Sequence, residues 1–155
     1  MRLEYFQMVD RVSVLDPEGR TIRAECAVPE ASPVFDGHFP GHPILPGVLM
    51  IETMAQTGGW LVMALARFQR IAFLAQVKLA KMRAFVTPGQ GLTAEATLLH
   101  EGSGYAVASG RLARGDQAIA EAEITYRTMP FPNEVTRGQM LEAARRLQIP
   151  AELIA

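Results

Sequence analysis

His38 and Glu52 are two side chains able to exchange protons, and they lie fourteen positions apart in a mostly apolar stretch. A carboxyl group among apolar neighbours loses hydration, which favours its protonated form. A neutral histidine and a neutral carboxylic acid together supply a base and an acid that operate at the same pH. Gln56 follows Glu52 by four residues, so on a helix it shares the same face and can orient the carboxyl group. The same residues also suit a structural role, with a surface histidine and one buried, hydrogen-bonded glutamate.

Two elements must position these side chains, a stiff loop and a long helix. The loop is set by residues with restricted or unusual backbone geometry, namely Gly37, Pro40, Gly41, Pro43, Pro46 and Gly47. Each proline fixes its own φ and pushes the preceding residue into extended geometry. From Pro46 to Phe68 nearly all residues are apolar and good helix formers, and a proline or glycine suits the helix start. The sequence therefore predicts an irregular loop that leads directly into a long, buried helix.

The run H-F-P-G-H-P-I-L-P-G-V-L-M-I-E-T-M-A-Q, residues 38–56, strongly resembles the signature of the FabZ class of β-hydroxyacyl-acyl-carrier-protein dehydratases. Glu52 favours this class over the similar FabA class, which carries aspartate at this point. The resemblance runs from about Glu4 to about Met129 and lacks the short N-terminal helix of typical FabZ chains. The opening LEYFQMVDRV and the C-terminal tail resemble a specialised alphaproteobacterial branch, which serves a dedicated acyl carrier protein and makes very long acyl chains for lipid A.

The resemblance implies a hydro-lyase that converts 3-hydroxyacyl-acyl-carrier-protein to the trans-2-enoyl form. In this reaction His38 takes the α-proton and Glu52 delivers a proton to the 3-hydroxyl group, with Gln56 behind it. The backbone N–H of Gly47 bonds the thioester oxygen with help from the helix dipole. The family forms homodimers, often trimers of dimers (hexamers), and places His38 and Glu52 of one site on different subunits.

The resemblance also indicates where the substrate and its carrier bind. An acyl tunnel beside the central helix is lined by residues such as Phe39, Leu49, Met50 and Met54. Basic side chains fall where FabZ proteins place them near the tunnel mouth, at Lys78, Lys81 and Arg83. They are candidates for docking the acidic acyl carrier protein, although lysines at strand ends usually just face water.

The remaining sequence predicts strands and one further helix. The strand patterns cover residues 3–15, 20–28, 71–79 and 80–86 with a bulge between them, 92–99, 105–113 and 118–128. An antiparallel sheet with one long apolar helix wraps around that helix, because the apolar face of the sheet needs a partner. This is the α+β hot-dog fold that the resemblance implies, over residues 1–129. Residues 130–155 form an extension with an amphipathic helix at 136–147, packed on this domain or on a neighbouring subunit.

Composition excludes several other classes of protein. A chain of 155 residues with net charge -1 is one domain without the basic surplus of a nucleic-acid-binding protein. A single cysteine, Cys26, excludes an intrachain disulfide and a cysteine-based zinc cluster, and its alternating surroundings predict a buried thiol. The N-terminus lacks the apolar core of a secretory signal, and a membrane span at 44–66 would carry Glu52 near mid-membrane. We therefore expect a cytoplasmic enzyme without a membrane span.

The chemistry calls for no metal and no organic cofactor, since the substrate itself arrives on phosphopantetheine. His38 and His42 are four residues apart, but Phe-Pro-Gly between them breaks helical spacing, so a shared metal is not expected. His42 is predicted to face solvent and His100 to be structural. Two other functions remain open: a hot-dog acyl thioesterase, and a catalytically inactive scaffold that binds acyl carrier protein. A FabA-like isomerase side activity, which moves the double bond, also remains open.

Overall fold

The computed structural model describes residues 1–154, in which six strands form one antiparallel sheet. In chain order the strands are β1 (Arg11–Asp16), β2 (Thr21–Ala27), β3 (Arg70–Met82), β4 (Gly91–Gly102), β5 (Tyr105–Arg114) and β6 (Gln117–Pro130). Across the sheet their order is β1-β2-β4-β5-β6-β3. The edges of the sheet are therefore β1 and β3.

One long helix lies against this sheet. The helices are α1 (Pro33–Gly37), α2 (Gly47–Leu65), α3 (Glu134–Arg146) and α4 (Ala151–Ile154), and a 3-10 helix spans Leu3–Tyr5. Helix α2 contacts every strand from β2 to β6, so the sheet wraps around it. The fold is the hot-dog fold, as the pattern of one apolar helix and a strand meander predicts.

Small residues on the inner face of the sheet let α2 approach closely. Strands β4 and β5 present mostly alanine and glycine there, at Ala94, Ala96, Ala106, Ala108 and Gly110, all of them buried. A Cβ added to Gly110 would lie 2.9 Å from the Cβ of Met54 on the helix, which is closer than side chains normally pack. The glycine is therefore needed because the helix backbone passes directly over it.

The apolar character of α2 is explained by this packing. The helix is long and apolar enough to meet the length and composition requirement of a membrane span, with a mean hydropathy of 1.3. Yet 72% of this apolar stretch of the helix is buried inside the protein. A helix that is apolar on all sides is expected at the centre of a wrapped sheet.

Three local features differ from the sequence prediction. The predicted strand at 3–15 was wrong in its first half: Phe6 adopts a left-handed backbone (φ 54°), which ends the 3-10 helix and interrupts extended chain. Helix α1 was missed, although Pro33 stands at its start and the Ser32 hydroxyl accepts a hydrogen bond from Val34 N–H. Strand β3 contains the predicted bulge, because its register against β6 shifts between Lys78 and Lys81, but it ends at Met82 instead of continuing to Val86.

The C-terminal segment lies against its own domain. The backbone N–H of Val12, on edge strand β1, donates to the carbonyl oxygen of Leu147 at 2.8 Å. The Arg137 Nε donates to the carbonyl oxygen of Phe68, just beyond the end of α2, at 2.9 Å. The segment also contributes buried apolar side chains, at Ala144, Ile149, Leu153 and Ile154. It is thereby joined both to the sheet edge and to the central helix.

Candidate active site

His38 ends helix α1 and is held by the loop that follows it. Its Nδ1 lies 3.0 Å from the carbonyl oxygen of Ile44, whose N–H in turn donates to the His38 carbonyl oxygen at 3.0 Å. A carbonyl oxygen can only accept, so Nδ1 carries the proton in the neutral ring and Nε2 keeps its lone pair. The ring stacks on Phe39, with ring centroids 4.1 Å apart. The loop thus presents His38 as a base through Nε2.

Gly47 is the first residue of helix α2. Its N–H has no intrahelical acceptor, because no helical carbonyl precedes it by four residues. The positive end of the helix dipole lies at the same point and favours a negatively polarised oxygen there. A Cβ at this position would lie 3.3 Å from the Cγ of Met82, so a larger residue would press against that side chain.

Glu52 is fixed by Gln56, and Gln56 is fixed by the N-terminal segment. The Gln56 Nε2 donates to Glu52 Oε1 at 2.8 Å and to the carbonyl oxygen of Phe6 at 2.6 Å. The Gln56 Oε1 accepts from the backbone N–H of Met8 at 3.1 Å. Both ends of the amide are therefore occupied, which determines its orientation and leaves the other Glu52 oxygen free to act.

A cavity of about 680 Å³ lies beside Glu52. This volume is in the range of small-molecule sites in proteins, roughly 300–1,000 Å³. One stripe of α2 forms its floor, through Glu52, Ala55, Gln56, Gly59, Trp60 and Met63. The N-terminal segment, strand β3, strand β6 and helix α3 supply the other walls. Glu52 is therefore only partly buried and faces this cavity, instead of being enclosed by its apolar helix neighbours.

Tyr126 of strand β6 lies between the cavity and the core. Its hydroxyl group donates to the carbonyl oxygen of Ala55 at 2.8 Å. Burial, and then the nearby Glu52 carboxylate, raise the pKa of Tyr126 well above its usual value. The hydroxyl group thus stays protonated and remains a donor throughout the working pH range.

The structure brings together some of the predicted site residues and separates others. Glu52 and Gln56 share the cavity, whereas His38 and Gly47 are not among its lining residues within positions 1–154. Of the predicted tunnel residues, Leu49, Met50 and Met54 are buried in the core and Phe39 is 48% exposed. None of these four lines this cavity in the described part of the chain.

The predicted docking residues lie on and just after edge strand β3, next to acidic residues of β6. In the strand register, Lys78 is opposite Glu123 and Lys81 is opposite Glu121. Arg83 forms an ion pair with Glu121 as well. The three basic side chains are exposed, and the two carboxylates offset part of their charge.

Two contributors to the site were missed by sequence reasoning. Tyr126 carried a usable signal, because it is the one polar side chain in the inward-facing series that includes Ala120, Ala122 and Ile124. The contacts of Gln56 with the N-terminal segment left no signal in the sequence, since they join residues about fifty positions apart. No group of three or more His, Cys, Asp or Glu side chains is arranged to hold a metal among residues 1–154.

Comparison with known proteins identifies the family. The model of the FabA-like domain matches residues 2–123. A 3-hydroxyacyl-[acyl-carrier-protein] dehydratase FabZ from Symbiobacterium thermophilum is 38% identical over 122 residues, covering 78% of this chain and 85% of that protein. The FabZ of Chlamydia pneumoniae is 40% identical over 126 residues, covering 78% of this chain and 81% of that protein. The chain belongs to the FabZ family.

The hot-dog fold itself is shared beyond FabZ proteins. A mutant thioesterase from Pseudomonas aeruginosa has a TM-score of 0.62 and 17% identity, with 83% of this chain and 85% of that chain covered. At this identity the likeness shows the fold alone. FabZ membership therefore rests on the sequence matches, and helix α3 lies beyond the matched FabA-like domain.

Proposed function

We propose that the protein is a hydro-lyase that removes water from 3-hydroxyacyl-acyl-carrier-protein to give trans-2-enoyl-acyl-carrier-protein in fatty acid elongation. The observation that carries this proposal is Glu52, oriented by Gln56 at the wall of the cavity, in a chain of the FabZ family. The reaction needs a base, an acid and a donor for the thioester oxygen, and the FabZ signature residues of this chain supply one of each.

His38 is the base in this mechanism. Its Nε2 takes the proton from the α-carbon, while the Nδ1–H bond to Ile44 keeps the ring in the required tautomer. The charge that develops on the thioester oxygen is stabilised by the N–H of Gly47 and by the N-terminus of α2. Glu52 delivers a proton to the departing 3-hydroxyl group, which leaves as water.

The catalytic unit in this proposal is a homodimer. Among residues 1–154, edge strand β3 pairs only with β6, and its free side is long and exposed, with Phe73, Leu74 and Leu79 at 46%, 46% and 74% exposure. An uncovered apolar edge strand is a template for pairing with another chain. The absence of His38 from the lining of the Glu52 cavity, within residues 1–154, also favours a site that takes His38 from the second subunit.

The carrier, the assembly and the location form the finer part of the proposal. Lys78, Lys81 and Arg83 would dock the acidic acyl carrier protein beside the site. Three dimers would associate into a hexamer, a trimer of dimers. The enzyme would act in the cytoplasm without a metal or an organic cofactor. The resemblance of the N-terminal opening and the tail to the specialised branch supports very long acyl chains for lipid A as the product.

The test is a mass-spectrometric assay with 3-hydroxyacyl-acyl-carrier-protein substrates of increasing chain length. Wild type is expected to remove one water, and both His38→Ala and Glu52→Gln are expected to lose nearly all turnover while remaining folded. Release of free thiol without water loss would instead identify a thioesterase. Water loss that persists in either variant would reject the role given to that residue.

Mixing the two inactive variants tests the shared site. If each site takes His38 and Glu52 from different subunits, a mixed dimer contains one intact site. Random exchange makes about half of the dimers mixed, so about a quarter of wild-type activity should return. Different affinity tags on the two variants verify that exchange has occurred. No recovery in verified mixed dimers would place both residues of a site on one chain.

A further inference from the structure

Helix α3 forms one wall of the cavity that contains Glu52. Met140, Ala143 and Leu147 line it, and their spacing of three and four residues puts them on one helical face. Helix α3 spans Glu134–Arg146, whereas the FabA-like domain match ends at residue 123. A segment outside the matched domain therefore completes the cavity in this protein.

The position of α3 is held by contacts outside the cavity. Near its start, Arg137 donates to the carbonyl oxygen of Phe68, and after its end Leu147 accepts from Val12 N–H. Ala144, on the side opposite the solvent, is fully buried. A helix anchored at both ends and packed between them presents a fixed wall, so the space in front of it is defined by its side chains.

The cavity is long enough to take more than the reacting carbons. Its floor runs along α2 from Glu52 to Met63, eleven residues apart, which is about 16 Å at the rise of an α-helix. Because Arg137 contacts Phe68, α3 begins near the end of α2 that is remote from Glu52. An acyl chain whose 3-hydroxyl group lies at Glu52 would extend along this floor toward α3.

The chemistry of the walls fits an acyl chain. Trp60, Met63, Met140 and Leu147 provide apolar surface, and Ala143 is small enough to leave space between Met140 and Leu147. Apart from Glu52, the charged side chains that border the cavity are Arg2, Asp10 and Arg146, which are exposed and so belong to its rim. Apolar walls with a charged rim suit a hydrocarbon chain that enters from a polar thioester.

We propose that helix α3, through Met140, Ala143 and Leu147, determines which acyl chains the enzyme accepts. This rests on the proposed dehydratase function and adds the specificity-determining wall. The helix acts by shape: side-chain volume at position 143 limits how much of the chain fits between α3 and α2. The three residues do not touch the reacting carbons, so they change the preference among substrates and not the chemistry at Glu52.

The experiment measures kcat/KM of Ala143→Phe and wild type across the series of 3-hydroxyacyl chain lengths. Filling the space at position 143 should lower kcat/KM for long chains by about tenfold or more relative to short chains, since a methylene in an apolar pocket has about that effect. Gln139→Phe is the matched control, because Gln139 is exposed on the same helix and does not line the cavity. Its long-to-short ratio should equal that of wild type.

Met140→Ala tests the same wall in the opposite direction. Removing the thioether side chain should raise the long-to-short ratio of kcat/KM, and this variant decides the question if Ala143→Phe does not fold. Unchanged ratios in the folded variants, beside a normal wild-type dehydration, would overturn the inference alone. Absence of water loss from every chain length in wild type would overturn the proposed function and with it this inference. An equal shift of the long-to-short ratio of kcat/KM in Gln139→Phe would also overturn the inference, because it would show that the effect does not depend on the cavity wall.

Discussion

Two adjacent glycines on α2 give a sharp test of how the helix packs against Tyr126. A Cβ on Gly58 would overlap the Tyr126 hydroxyl oxygen and would lie 3.2 Å from its Cζ. A Cβ on Gly59 would have only an ordinary contact, 3.7 Å from the Tyr126 Cε1. Both positions are buried and lie inside the same helix, so they differ mainly in their distance from Tyr126. Alanine should therefore lower the free energy of unfolding at Gly58 and raise it at Gly59.

The magnitudes follow from three effects. Replacing glycine by alanine in a helix interior stabilises by about 1 kcal/mol. At Gly59 this gain should be kept, up to about 1 kcal/mol. At Gly58 the overlap costs about 1–3 kcal/mol by overpacking, and displacing Tyr126 from the Ala55 carbonyl oxygen costs about 1 kcal/mol more. Gly58→Ala should therefore destabilise by about 1–3 kcal/mol net.

Urea denaturation at one fixed protein concentration measures both free energies of unfolding. The control background is Tyr126→Phe, which removes the hydroxyl oxygen and leaves the ring. In that background the penalty of Gly58→Ala should shrink by about 1 kcal/mol or more. Equal effects of alanine at Gly58 and Gly59, or a Gly58→Ala penalty that is unchanged in Tyr126→Phe, would refute this account of the packing.

Two further predictions concern pH and carrier docking. Burial, and then the nearby Asp10 carboxylate, raise the pKa of the Cys26 thiol from 9.0 to about 12. The unfolded thiol ionises first, so the free energy of unfolding should fall between pH 9 and about 12, by about 1.4 kcal/mol per unit from this group. Cys26→Ala should flatten that part of a pH series, and an unchanged slope would contradict it. Charge reversal at Lys81 and Arg83 should raise KM for carrier-bound substrate far more than for a short thioester mimic. The control variant Arg20→Glu should not show this difference. Equal effects of the Lys81 and Arg83 reversals on both substrates would argue against docking.

The regular elements of the fold could be predicted because their signals are local. Strand β6 contains helix formers, yet its apolar residues alternate with a period of two, and Ala122, Ile124 and Tyr126 are indeed buried. The central helix was predicted from its continuous apolar run after Pro46, and it begins at Gly47. Its predicted end at Phe68 was three residues too late, because the chain turns at Arg67 and Phe68 with left-handed backbones (φ 47° and 51°).

The short elements could not be predicted in the same way. The segment that contains Phe6 is rich in strand formers, but it folds as a 3-10 helix followed by a left-handed residue. In that conformation the Phe6 carbonyl oxygen and the Met8 N–H both reach Gln56. Tertiary contacts with a helix fifty positions away, and not local preference, decide this conformation.

The sequence by itself determined the family, the fold class and the chemical groups available to the site. His38, Gly47 and Glu52 lie within one short run whose residue types and spacing are specific, so local reading is sufficient for them. Only the tertiary structure decided what surrounds Glu52: the Gln56 contacts with the N-terminal segment, the hydroxyl group of Tyr126 and the wall formed by α3. The physical reason is that these groups converge on one cavity from distant parts of the chain. Their arrangement depends on how the sheet wraps α2 and where the C-terminal segment docks, which no local spacing encodes.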